Sequence, residues 1–137
     1  MLIVPKFKEA LGIGIVGGII SALISHSLFP PANLISEPLG AIVCLAVFIA
    51  IRDRVKFAPA VATVAATFAS GIAFILIVMI LVMVAPGMLY KAFTASSLYA
   101  FFTLMIVTII LPTAILNTLV AQILYLPAAR VLSRGKA

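Results

Sequence analysis

His26 stands between Ser25 and Ser27, and a serine beside an imidazole is the beginning of an activated nucleophile. An imidazole is also a common metal ligand. Either chemistry needs supporting groups, an orienting partner for the first and further ligands for the second. The neighbouring residues supply neither, and the single cysteine, Cys44, lies inside an apolar run. At the end of an apolar helix, His26 reads as an amphipathic interfacial side chain. The chain shows no glycine-rich phosphate loop, no metal-spaced Cys/His set and no internal repeat. Enzyme, metal and cofactor chemistry thus have no positive sign in the sequence.

The other polar side chains placed to act in apolar surroundings are near the C-terminus. Thr113, Asn117, Thr118, Ala121, Gln122 and Tyr125 take one half of a helix, and Ile115, Leu116, Leu119, Val120, Ile123 and Leu126 take the other. An amide facing lipid is costly, so the first half must face protein or a cavity. Two readings of Thr113, Asn117 and Gln122 stand. They are interhelical contacts, worth about 1 kcal/mol each, or they bind a small-molecule ligand or a partner helix.

The elements that position these residues are membrane helices. Of 137 residues, 66% are hydrophobic and 9% charged, where a soluble domain carries about 25% charged residues. The chain cannot cover itself with polar groups, so lipid is its solvent. It reads as an all-α, polytopic transmembrane bundle, one domain over residues 1–137. The net charge of +6 is no nucleic-acid footprint, because the basic residues sit in small groups at the ends of apolar runs.

The first helix is expected from Glu9 to Phe29. It follows Lys6 and Lys8 as a signal segment would, but its apolar run is longer than a signal core and reads as a retained span. Gly14, Gly18, Ser21, Ala22 and Ser25 fall within about 100° of one another at 3.6 residues per turn. The small-xxx-small spacing of Gly14, Gly18 and Ala22 lets another backbone approach closely. After a loop from Pro30 to Pro38, a short second helix is expected from Leu39 to Ile51, ending in the basic group Arg52, Arg54 and Lys56. A third helix, Ala58 to Ala85, carries an alanine face including Ala62, Ala66 and Ala69. This face is expected to meet the glycine face of the first helix. Glu37 falls in the loop, which leaves every predicted membrane core without an acid and argues against a proton- or cation-coupled carrier.

The last apolar run poses a choice. Tyr99 to Leu126 is 28 residues, about 42 Å if straight, against a hydrocarbon core near 30 Å. It is one long helix bent at Pro112, giving four spans, or a hairpin broken there, giving five. Charge favours four. With the N-terminus cytoplasmic, four crossings place Lys6/Lys8, Arg52/Arg54/Lys56 and Arg130/Arg134/Lys136 all inside and leave Lys91 outside. The aromatics agree: Phe7, Phe57 and Tyr125 lie near one interface, Phe29, Tyr90, Phe93 and Tyr99 near the other. Both termini are then cytoplasmic, in a multi-pass protein of the cell membrane.

Leu111 to Leu132, LPTAILNTLVAQILYLPAARVL, resembles the end of the rod-shape-determining MreD family: a Leu-Pro break, a helix with an Asn and a small-residue face, an aromatic with Pro, and a closing basic residue. The short helix ending AVFIAIRDRVK and the Ala69-Ser70-Gly71 helix resemble that family's first half. The same layout is similar to the substrate-binding S components of energy-coupling-factor vitamin transporters, whose first helix often docks a coupling subunit through a small-xxx-small surface matching Gly14, Gly18 and Ala22. The first resemblance implies a non-enzymatic scaffold that binds membrane proteins of the cell-elongation machinery through Gly14, Gly18 and Ala22, or Ala62, Ala66 and Ala69. The second implies a small-molecule uptake subunit in which Thr113, Asn117 and Gln122 hold the solute and a separate ATPase supplies energy. An accessory subunit of a larger membrane complex is a third reading. All three share other integral membrane proteins as partners.

Overall fold

The computed structural model describes residues 6–85, 87 and 97–134. The expectations placed on Tyr90, Lys91, Phe93 and Lys136 lie outside the described residues. All regular structure described is helical, and four helical stretches are long and apolar enough to cross a membrane. They are labelled α1 (Phe7–Ile24), α2 (Asn33–Ile51), α3 (Ala58–Val84) and a last span made of α4 (Leu98–Met105), a π turn (Ile106–Ile110) and α5 (Leu111–Arg134).

Serine and proline set the first boundaries, and both differ from the sequence reading. Helix α1 stops at Ile24 rather than Phe29, and Ser25 is extended (φ −79°, ψ 137°). Ser25 and Ser27 give their hydroxyls to side-chain hydrogen bonds, the competition with backbone that makes serine a poor helix continuer. Helix α2 begins at Asn33 rather than Leu39, preceded by a 3₁₀ turn, Pro30–Ala32, and Pro38 lies inside it. Pro38 removes the donor that the Leu34 carbonyl would have met. Membrane helices tolerate this where neighbouring helices compensate.

The extra turns let α2 run back along the whole of α1. A Cβ on Gly14 would lie 2.6 Å from Pro38 Cα and 2.9 Å from Ala41 Cβ, and one on Gly18 would lie 2.7 Å from the Asn33 carbonyl oxygen. The glycine face of α1 is thus filled by α2, which corrects the expected pairing with the alanine face of α3. Among the described residues, α1 comes within 8 Å, Cα to Cα, of neither α3 nor α5. The alanine face of α3 packs elsewhere: Ala58 and Ala62 are buried with Cys44 and Phe48 of α2, Ala66 packs against the same cluster, and Ala22 and Ala69 are half-buried. Gly40 of α2 meets Ser70 Cβ and the Ala66 carbonyl of α3.

The last span crosses once. The Ser97 hydroxyl accepts from the Ala100 N–H and caps α4. Leu111 N–H donates to the Ile106 carbonyl, five residues back, so the turn before Pro112 is widened where the proline ring would crowd the Thr108 carbonyl. The helix continues through Pro112, which corrects the five-span alternative. Leu98–Ala128 is 31 residues, about 46 Å of helix, longer than a bilayer core of about 30 Å. Against α3 it contributes Phe101, Met105 and Ile110 to a core with Ile75 and Val78. Lower down, Tyr125 stacks edge-on against Phe48 at 5.9 Å. The helices therefore stand as a row, α1 to α2 to α3 to the last span.

Candidate functional site

The row forms a partly open cavity of about 270 Å³ at the end where α1 gives way to α2, just under the usual 300–1,000 Å³ of small-molecule sites. Three turns of polar sequence reach it. On α2, Asn33, Ser36 and Glu37 share one face at i, i+3 and i+4; Asn33 and Ser36 are buried and Glu37 half-buried. On α3, Thr67 and Ser70 line it beside Gly71. From the end of α1 and the loop after it come Ser21, Ser25, His26 and Ser27. The rest of the lining is mainly apolar, with Phe74, Ile75, Met105, Ile109 and Ile110.

The polar wall is held by hydrogen bonds. Asn33 Nδ2 donates to Ser25 Oγ (3.1 Å) and Ser27 Oγ (3.4 Å), and Ser25 Oγ donates to Ser27 Oγ (3.2 Å). On α3 the Thr67 hydroxyl donates to the Thr63 carbonyl (3.0 Å), and Ser70 to the Thr67 carbonyl (3.3 Å). Thr67 Oγ1 also accepts from Asn117 Nδ2 of α5 at 3.2 Å. These bonds fix the hydroxyls of two elements, the segment after α1 and helix α3, around one space.

Of the residues singled out from sequence, Thr113 lines the cavity. Asn117 stands one turn away and acts on the site through Thr67. Gln122 is remote from it; its Oε1, like Thr118 Oγ1, is buried without a hydrogen-bond partner among the described residues. Gly14 and Gly18 serve the α1–α2 seam that holds Ser21 and Ser25 at the rim. His26 lines the cavity but hydrogen-bonds neither Ser25, Ser27 nor Glu37 among the described residues, so the seed of a nucleophile is not assembled. No cluster of His, Cys, Asp or Glu able to hold a metal occurs among the described residues.

Sequence reasoning missed Asn33, Ser36 and Glu37 because Pro30 to Pro38 read as a loop, with α2 starting at Leu39. The signal that could have found them is the i, i+3, i+4 spacing itself. It also placed no acid in a membrane segment, whereas Glu37 lies within the span Pro30–Ile51.

The chain is 33% identical over 139 residues to a protein of Bacillus subtilis (strain 168) described as a probable tryptophan transport protein, covering 98% of this chain and 72% of that one. This chain belongs to that protein's family. No family model matches the chain, and no solved structure does. Membership in this family, together with four membrane-capable helices, makes it a multi-pass membrane protein with a transport-type relative. Nothing in the comparison supports the rod-shape resemblance or a scaffold role in cell shape.

Proposed function

We propose that the chain is the solute-binding membrane subunit of an uptake system, with an aromatic amino acid such as tryptophan as its solute. The observation that carries this reading is the divided chemistry of the cavity lining: hydroxyls, an amide and a carboxylate stand alongside Phe74, Ile75, Met105, Ile109 and Ile110. An amino acid with an indole side chain has the same division. Its polar end matches Asn33, Ser36 and Glu37, and its ring matches Phe74 and the aliphatic residues beside it.

The family's named relative supports transport, and the S-component resemblance supplies a mode of energy supply. The chain has no phosphate-binding loop of its own, so an ATP-driven version takes its energy from a separate ATPase and coupling subunit. The basic Arg52–Lys56 turn is the cytoplasmic end by the charge rule, which turns the cavity to the outer face.

The test is direct binding of tryptophan to the chain in lipid nanodiscs. The protein contains no tryptophan, so indole emission reports the ligand against a dark background. A saturable blue shift supports the reading. Its absence, with the protein folded and recovered beside cell-wall synthases rather than an ATPase, overturns it.

A further inference from the structure

Among the described residues, Glu37 is the only aspartate, glutamate, lysine or arginine side chain that lines the cavity. Among the described residues it has no salt-bridge partner, although Lys6–Glu9 and Arg52–Asp53 contacts exist at exposed positions, the first at the start of α1 and the second in the turn after α2. A carboxylate within a membrane span is costly unless a cation or hydrogen-bond donors compensate it. Lys and Arg can supply that compensation, and neither contributes to this wall among the described residues. The neighbouring amide is already committed, because Asn33 Nδ2 donates to Ser25 and Ser27. Among the described residues the site therefore holds one carboxyl group and no lysine or arginine to pair with it.

Resting on the uptake reading above, we propose that Glu37 is the specificity group of the site and that it recognises the ammonium of the solute. The substrate class is an amine with an apolar body, and its carboxylate is secondary. Among the described residues no guanidinium or lysine ammonium lines the cavity to grip that carboxylate in the bidentate or point-charge manner. The serine hydroxyls and the His26 imidazole that line the cavity are left to meet it by hydrogen bonding. The ammonium, seated against Glu37 one helical turn beyond Asn33, leaves the ring directed at Phe74.

Three probes separate the groups: tryptophan, tryptamine (amine without carboxylate) and indole-3-propionate (carboxylate without amine). Binding of each is measured in nanodiscs by indole emission. The expected order is tryptophan and tryptamine within a few-fold of each other and indole-3-propionate weaker by about tenfold or more, the scale of one hydrogen bond to a charged group. Glu37→Gln removes the charge and keeps the shape; it should weaken tryptophan and tryptamine by a similar factor and leave indole-3-propionate unchanged or improved. Tryptophan and indole-3-propionate binding alike, with tryptamine poor, overturns the assignment of Glu37 and leaves the uptake reading standing. Binding of none of the three by the wild-type chain overturns the site and this inference with it. The wild-type panel decides the matter even where the variant fails to fold.

Discussion

The Asn117 side-chain amide of α5 donates to the Thr67 hydroxyl of α3 across 3.2 Å. Thr67 is buried and its own hydroxyl donates back to Thr63, so this single contact ties the last span to the polar wall of the cavity. Asn117→Leu and Thr67→Val, combined in a double-mutant cycle, should show a coupling of about 0.6–1.7 kcal/mol, the measured span for interhelical hydrogen bonds. Reversible unfolding in mixed micelles reads it. Zero coupling would mean that the amide serves another partner.

The glycines of α1 divide into two kinds. Gly14 and Gly18 meet backbone of α2 within 2.7 Å of an added Cβ, whereas Gly12 and Gly17 have nothing within 4 Å. Gly14→Ala and Gly18→Ala should each destabilise the chain by roughly 1–3 kcal/mol, as overpacking does. Gly12→Ala and Gly17→Ala should be neutral or stabilising by about 0.5–1 kcal/mol, since alanine is the better helix former. Equal losses at all four positions would show that α1 does not pack in this register.

The π turn contains one residue more than an α-helical path requires. Deleting Val107, an exposed residue inside it, should let the turn close to α geometry and keep Thr113 and Asn117 facing α3. Deleting Ile115 instead turns everything beyond it by about 100° and should abolish the Asn117–Thr67 coupling. Thermal stability in detergent, compared between the two deletions, checks this. A greater loss from the Val107 deletion would contradict it.

Four crossings place both ends of the chain on one side. With Cys44 replaced by alanine, single cysteines at Lys8, Arg54 and Arg130 should all react with an impermeant maleimide from the cytoplasmic face, and one at Ser27 from the other. Opposite labelling of Lys8 and Arg130 would require an odd number of crossings.

Composition made the membrane helices legible, and the placement of charge and aromatics favoured four spans over five. The polar wall was not legible in the same way. Pro38 and the paired Pro30–Pro31 imitate a loop, yet α2 runs through the former and starts from the latter. Once those residues were read as loop, Asn33, Ser36 and Glu37 lost their helical spacing. Asn117 was legible as a polar residue needing a partner, but Thr67 was hidden among alanines. The small faces of α1 and α3 were legible as packing surfaces. Their partners were not, because small residues record that something approaches and carry no mark of what. The length of α2 decided it.

A row of helices has two ends, where a ring has none. Among the described residues no backbone contact joins α1 to α5, and Ile109 at the cavity is about half exposed (49%). The cavity's remaining wall is whatever stands beside the chain. In a bilayer that is an acyl tail, and in an assembly it is a neighbour's helix. Solute affinity is then a property shared between the chain and its surroundings. A lipid tail lodged against Ile109 competes with an indole ring for the same apolar surface, and a subunit that seals the gap removes the competitor. Assembly alone can tighten binding in this way, with no movement of the residues that touch the solute.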